Sequence, residues 1–481
     1  MVHSFGRVQE AARYNRAMTP REFATLICTT LRAAGHQAYL VGGCVRDLIL
    51  GREPADFDVA TDAHPERVQQ LFPGSVDVGV RFGVILVVSD ARLQNGALQH
   101  GVSQHGVQQD ALQVEVATFR SDIGYSDGRH PDRVEYSRFP EEDVRRRDFT
   151  INGLMLDTET GEVLDFVGGR ADLNAGVVRA IGAPELRFRE DKLRMARAVR
   201  FAARFEYQIE PATLAAIQSA APQVTSVSAE RLREELTKLL TEGAARRGFE
   251  LLDETRLLDA LLPEVSRMKG VAQPPQFHPE GDVWIHTRMM LEHIPAGASA
   301  TLAWAVLLHD VGKPPTFASA ERTGDRIRFD GHAEIGALMT AVICQRLRFA
   351  TRDAEQIESL VANHLRFKDV FQMRPATLKR FVCLDRFEEH LELHRLDCSA
   401  SHGNLEAYEF VRRFIRETPA EQVRPARLVT GEDLKEMGWK PGPTFKEILH
   451  AVEEAQLDGT LQGREEALAF VRSQYPPPSA A

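Results

Sequence analysis

The stretch from Leu40 to Ala63, LVGGCVRDLILGREPADFDVATDA, decides the fold. It opens as a short apolar strand, breaks at the glycine pair Gly42 and Gly43, and resumes as the helix-like CVRDLIL. A strand, a glycine turn and a helix start leave bare backbone N–H groups where phosphates can be received. Further on, Asp56 and Asp58 fall two apart in a segment that reads as extended, so both side chains point to one face. Oxygen ligands of this kind suit Mg²⁺, which is normally completed by water and nucleotide phosphates. D-x-D alone is more often a solvated polar turn. The rest of the chain gives it meaning.

Working outward, REFATLICTTLRAAG (21–35) reads as an amphipathic helix ending at Gly35, and RFGVILVVSD and LQVEVATFR read as strands. Between those strands, residues 91–113 are rich in Gln, Gly and His and predict a solvated loop. From Glu185 to about Leu262 the periodicity is helical, GVAQPPQFHPEGD marks a boundary, and Val283 to about Ile415 is helical again. The predicted layout is α+β: a small α/β head with a mixed or antiparallel sheet, then a mostly helical remainder. The predicted divisions are a tail (1–20), the head (21–160), a helical neck and body (161–270), a histidine-bearing domain (271–418) and a C-terminal helical segment (419–481).

Composition narrows the function. With 59 Lys+Arg against 69 Asp+Glu the net charge is −10, so any nucleic acid must be bound by a local patch and not by the whole surface. Five cysteines lack C-x-x-C spacing, which argues against a cysteine zinc site and fits a reducing compartment. No apolar run reaches the roughly 18 residues of a membrane span, and the start lacks a signal-peptide core, so the predicted location is cytoplasmic with no membrane partner.

G-G-x-V-R-D followed by D-F-D closely resembles the signature of the nucleotidyltransferase superfamily, in its transfer-RNA nucleotidyltransferase and bacterial poly(A) polymerase branch. RRRDFTINGL (Arg145 to Leu154, with Gly153 where Ala is usual), DFVGGRADL (Asp165 to Leu173), REDKLRMARAVRFAARF (Arg189 to Phe205) and SAERLREEL (Ser228 to Leu236) match the remaining motifs in order. The resemblance implies that Asp56 and Asp58, with Glu115 in VEVATFR as a third acid, hold catalytic Mg²⁺. It implies that Gly42, Gly43, Arg46, Asp47, Arg146, Arg147 and Asp148 receive the triphosphate and ribose. A helix-end salt-bridge cluster is the alternative for those charged residues, and a polar strand face is the alternative for Glu115.

Asp191 and Arg194, three apart, read as one helix face. E-D-x-x-R (Glu190, Asp191, Arg194) resembles the motif by which the class II branch selects CTP and ATP with side chains. Arg197, Arg200 and Arg204 follow at helical spacing and either meet phosphates or pair with Glu230, Glu234 and Glu235. Further along, His286, His309-Asp310, His332, His364 and Asp397 stand in the order of the HD phosphohydrolase superfamily, with Lys313 and Pro314 also matching. Imidazole and carboxylate together suit Mn²⁺, Ni²⁺, Co²⁺ or Fe²⁺ better than Mg²⁺.

The implied function is a class II enzyme of the CCA-adding type, acting on transfer RNA with CTP and ATP and carrying a fused HD phosphohydrolase domain. The alternatives are a partial CC-adding or A-adding enzyme, a bacterial poly(A) polymerase, an HD metal phosphohydrolase with a nucleotide- or RNA-binding head, and a noncatalytic RNA-binding adaptor.

Overall fold

A computed structural model describes residues 18–79, 83–89, 111–124, 133–276, 278–279 and 281–475. The Gln/His-rich stretch expected to be a solvated loop lies outside these, apart from its last three residues. The chain divides into two compact units, Met1–Glu235 with Glu250–Leu261, and Leu236–Phe249 with Leu262–Ala481.

In the first unit, helix α1 (Pro20–Ala33) begins at a reciprocal cap in which the Thr19 side chain accepts from the Glu22 N–H while the Glu22 carboxylate accepts from the Thr19 N–H. Phe23, Ala24, Ile27, Cys28 and Leu31 recur on one face and are buried, each large apolar side chain contributing about 1.5–3 kcal/mol. Strand β1 (Ala38–Val41) leads through Gly42 into helix α2 (Gly43–Ile49). Strands β2 (Asp58–Thr61), β3 (Val76–Gly79), β4 (Val84–Val88) and β5 (Gln113–Thr118) follow, then a two-stranded ribbon of β6 (Arg120–Ile123) and β7 (Arg133–Tyr136). Helix α3 (Pro140–Arg145) precedes the hairpin β8 (Leu154–Leu156) and β9 (Val163–Asp165).

The seven-stranded sheet has the order β3-β4-β5-β2-β1-β8-β9, and only β2 and β5 run parallel. It is therefore mixed, one of the two forms expected. A head ending at residue 160 cuts the β8–β9 hairpin, because β9 pairs with β8 from Leu154↔Asp165 to Leu156↔Val163 and completes the sheet. Two helices then carry the E-D-x-x-R motif, α4 (Pro184–Glu190) and α5 (Leu193–Phe205), and α6 (Ala229–Thr241) follows.

The second unit is helical, with α7 (Val283–Glu292), α8 (Ala300–Leu308), α9 (His332–Arg346), α10 (Thr351–Asn363) and α11 (Phe387–Ala400) around one centre. Every residue of α8 from Thr301 to Leu308 is buried, as expected of a helix apolar on all sides, so its C-terminal end delivers His309 and Asp310 into the interior. Near the C-terminus, Val429, Leu434, Ile448, Val452, Leu461, Ala467 and Val471 form a smaller core. Among the described residues, no helix is long and apolar enough to cross a membrane.

Candidate active sites

The strand register builds the acidic site. Asp58 pairs with Val41 on one side, directly before Gly42, and with Glu115 on the other. Glu115 faces solvent between buried Val114 and Val116, so the strand's alternation turns the acid outward. Burial, then the charges of Glu115 and Asp56, raise the Asp58 carboxyl to about 6, while Arg147 pulls the other way. An oxygen-only set whose charges repel one another is one that a divalent cation would relieve, so the donor chemistry of these acids suits Mg²⁺.

Gly42 has φ +77°, which L side chains rarely adopt. A Cβ there would lie 3.2 Å from Arg147 Nη1, and one on Gly43 would lie 3.5 Å from Arg46 Nη2. Two guanidiniums thus approach bare glycine backbone. Arg46 is buried, donates to Asp47 at 2.8 Å and Asn152 at 2.6 Å, and lies over the Phe205 ring at 4.5 Å. The Arg46–Asp47 pair therefore has the salt-bridge geometry weighed as the alternative. Arg146 and Arg147 share one partner that the sequence reading missed, the fully buried carboxylate of Asp143, at 2.6 and 3.0 Å. Its spacing, three and four residues before the two arginines, was a visible signal. Asp148 accepts from Arg197 at 2.7 Å and from Asn152 at 3.1 Å. Burial would raise Asp148, but Arg197 outweighs it and holds the carboxyl at about 2.

The E-D-x-x-R segment departs from the expectation of one continuous helix face. Asp191 is extended, with φ −147° and ψ 107°, at the break between α4 and α5. Its carboxylate accepts from the Leu193 N–H at 3.0 Å, a local bond that competes with helix and starts the next one. The same carboxylate accepts from Arg231 at 2.6 Å, while Arg194 donates to Glu190 at 2.6 Å and to the Arg146 carbonyl at 3.1 Å. Arg231, forty positions away in sequence, was missed and had no local signal. Arg200 pairs with Glu235 at 2.6 Å, the alternative considered for it, and Arg197 also reaches Glu235 at 3.7 Å.

In the second unit, all six expected residues converge. Within this unit two groups bring their ligand atoms within 4.8 Å of one another and could hold a metal ion, His286 with His309 and Asp397, and Asp310 with His332 and His364. Three rings are clamped alike: Nδ1 of His309, His332 and His364 lies 2.9, 2.8 and 2.7 Å from the carbonyls of Val306, Phe329 and Val361. Each Nδ1 therefore carries the proton, and each Nε2 presents a lone pair.

His309 Nε2 lies 3.0 Å from Asp310 Oδ2, a lone pair against a carboxylate unless a cation lies between. Nε2 of both His309 and His332 is buried without a hydrogen-bond partner, so the donor set fits a transition metal. Lys313 steadies Asp310 at 2.7 Å and in turn donates to the buried Gln273, a residue the sequence reading missed. Burial would raise Asp310, but neighbouring positive charge, the Lys313 ammonium included, holds it well below the usual carboxylate range, while burial pushes His364 down to about 3. Gly312 is obligatory in this turn, since a Cβ would stand 2.1 Å from the His332 carbonyl oxygen.

Residues 38–179 match the poly A polymerase head domain, 206–269 the "Probable RNA and SrmB- binding site of polymerase A", and 282–389 the HD domain. A CCA-adding enzyme of Levilactobacillus brevis is 33% identical over 453 residues, covering 93% of this chain and 97% of the relative. The chain belongs to the CCA-adding enzyme family. A second CCA-adding enzyme, from Geobacillus stearothermophilus, is 31% identical over 458 residues, covering 93% of this chain and 96% of its own. The crystal structure of the Bacillus stearothermophilus CCA-adding enzyme in complex with CTP, 27% identical, aligns over 95% of this chain and 98% of its own with a TM-score of 0.68. These findings bear out the family resemblance drawn from the ordered motifs and the α+β class.

Proposed function

We propose that this CCA-adding family member extends the 3′ end of transfer RNA with C, C and A taken from CTP and ATP, without a nucleic-acid template. The carboxylates of Asp58 and Glu115, paired by strand register beside the Gly42 turn, with the charge of Asp56 acting on Asp58, carry this reading. Those three acids would hold Mg²⁺, which when bound lowers the pKa of the attacking 3′-hydroxyl and stabilises charge on the departing pyrophosphate. Arg147 and Arg46, close against the glycine turn, orient the triphosphate by opposite charge, and Asp148 and Arg197 complete the polar wall beside it. Asp47 fixes Arg46, and Arg146, held by Asp143, joins Arg147 in receiving the phosphates.

Asp191 and Arg194 read the base edge. Cytosine and adenine each present an exocyclic amine that donates to Asp191 and a ring nitrogen that accepts from Arg194, whereas uracil and guanine present a carbonyl and an N–H. Arg231 and Glu190 hold the two side chains ready. Extending transfer RNAs that end before CCA, after C, and after CC with each labelled nucleotide tests the reading. All three should finish as CCA; arrest after one step type would mean a partial enzyme, and long A tracts a polymerase.

A second, metal-dependent phosphohydrolase activity is supported by the lone-pair contact between His309 and Asp310. His286, His309, Asp310, His332, His364 and Asp397 would hold Mn²⁺, Ni²⁺, Co²⁺ or Fe²⁺, which supplies Lewis acidity for cleaving a phosphoester.

A further inference from the structure

Among the described charged groups of the first unit, Asp143 is distinguished by serving two arginines at once from a fully buried position. Its Oδ1 accepts from Arg146 Nε at 2.9 Å and Nη2 at 2.6 Å, and its Oδ2 accepts from Arg147 Nε at 3.3 Å and Nη2 at 3.0 Å. Each guanidinium is therefore gripped by the same edge, which fixes its plane and the direction of its remaining nitrogen. For Arg147 that nitrogen is Nη1, the atom standing 3.2 Å from where a Gly42 Cβ would be. The same guanidinium is the positive charge that acts on Asp58. The stretch held by Asp143 also supplies the Arg146 carbonyl on which Arg194 leans.

We propose that Asp143 is the positioning residue for triphosphate binding, setting Arg147 against the glycine turn and fixing the plane of Arg146, without itself touching the nucleotide. The inference rests on reading the first unit as a nucleotidyltransferase site. A pair of unconstrained arginines would adopt many rotamers, and each nucleotide would bear the cost of ordering them. A carboxylate with no exposure, and with both oxygens occupied, removes that cost in advance.

The test is Asp143→Asn in the full-length protein, with Asp143→Glu as the charge-keeping control. Asn retains one acceptor but turns an amide donor toward the second guanidinium. The KM for CTP and for ATP should each rise about tenfold while kcat stays within about threefold. Inhibition by inorganic pyrophosphate, a probe with phosphates and no base, should weaken by the same factor, and the preference for C and A over U and G should not change. Asp143→Glu should bring pyrophosphate inhibition back to within about threefold of wild type. Should Asp143→Asn not give folded protein, Asp143→Ser takes its place with the same expectation. A folded variant with unchanged pyrophosphate inhibition, or with kcat lost and KM unmoved, overturns the assignment. Wild-type protein that neither incorporates nucleotide nor binds pyrophosphate would instead overturn the underlying reading of the site.

Discussion

The two constellations solve opposite problems. The acids of the first unit sit on the rim of a sheet: Asp56 and Glu115 are exposed, and only Asp58 is drawn inward. The ligand set of the second unit is interior, with His286, His309, Asp310, His332 and His364 all buried. An open rim of oxygen donors admits a large substrate and a loosely held, partly hydrated cation. A closed set of imidazoles, three of them fixed by backbone carbonyls, suits a more tightly coordinated ion. The positioning devices differ accordingly. Strand register places the first set, and the burial of α8 places the second.

The largest expected effect breaks the rim. Asp58→Ala should lower nucleotide addition by about 10³-fold or more, since its carboxylate would hold the cation proposed to stabilise charge in the transfer step. Metal content of the histidine cage should stay at the wild-type level when measured by elemental analysis. Addition surviving in the purified variant would remove the carboxylates from the account.

A smaller effect sharpens the distinction between holding a cation and reading a base. Asp191→Ala should reduce selectivity for C and A over U and G by about 1–3 kcal/mol, roughly 5- to 150-fold, with a lesser effect on dependence on Mg²⁺. Competition between labelled nucleotides reads this directly, and unchanged preferences would place base recognition elsewhere.

The smallest effect concerns stability. Asp58 sits at about 6 in the folded chain against an ordinary 3.8, so the fold favours its protonated form. The metal-free protein therefore loses stability as pH rises from about 4 through about 6, and carries the full penalty above that. Asp58→Asn should be more stable than wild type at pH 7.5, by on the order of 2 kcal/mol, with the gain vanishing near pH 4. Equal denaturation midpoints at both pH values in chelator would contradict the crowding of charge at the rim.

Much of this was legible in the sequence, for identifiable reasons. The period-two alternation of QVEVAT places Glu115 on the exposed face, and the pairing of β5 beside β2 puts it opposite Asp58. The histidines were legible as an ordered set, although the three carbonyl clamps were not, because they depend on ring orientation. The break at Asp191 was hidden by good helix formers on both sides, with no Gly or Pro to mark it; its one clue was an Asp two residues before Leu193, where a side chain can compete for the backbone. Arg231 was illegible because its contact with Asp191 is purely tertiary. Asp143 was present in PEEDVRRR but disguised as one more charge in a charged run.

Asp310→Ala, assayed for both nucleotide addition and bound metal, tests most directly whether the two sites are built and work independently. Asp310 faces His309 at 3.0 Å, His332 at 3.5 Å and His364 at 3.9 Å, so its loss should empty the cage of transition metal and end phosphoester hydrolysis. Addition of C, C and A to transfer RNA should remain within about twofold of wild type, because the Asp56, Asp58 and Glu115 rim uses none of these ligands. A parallel fall in addition at unchanged thermal stability would contradict the account.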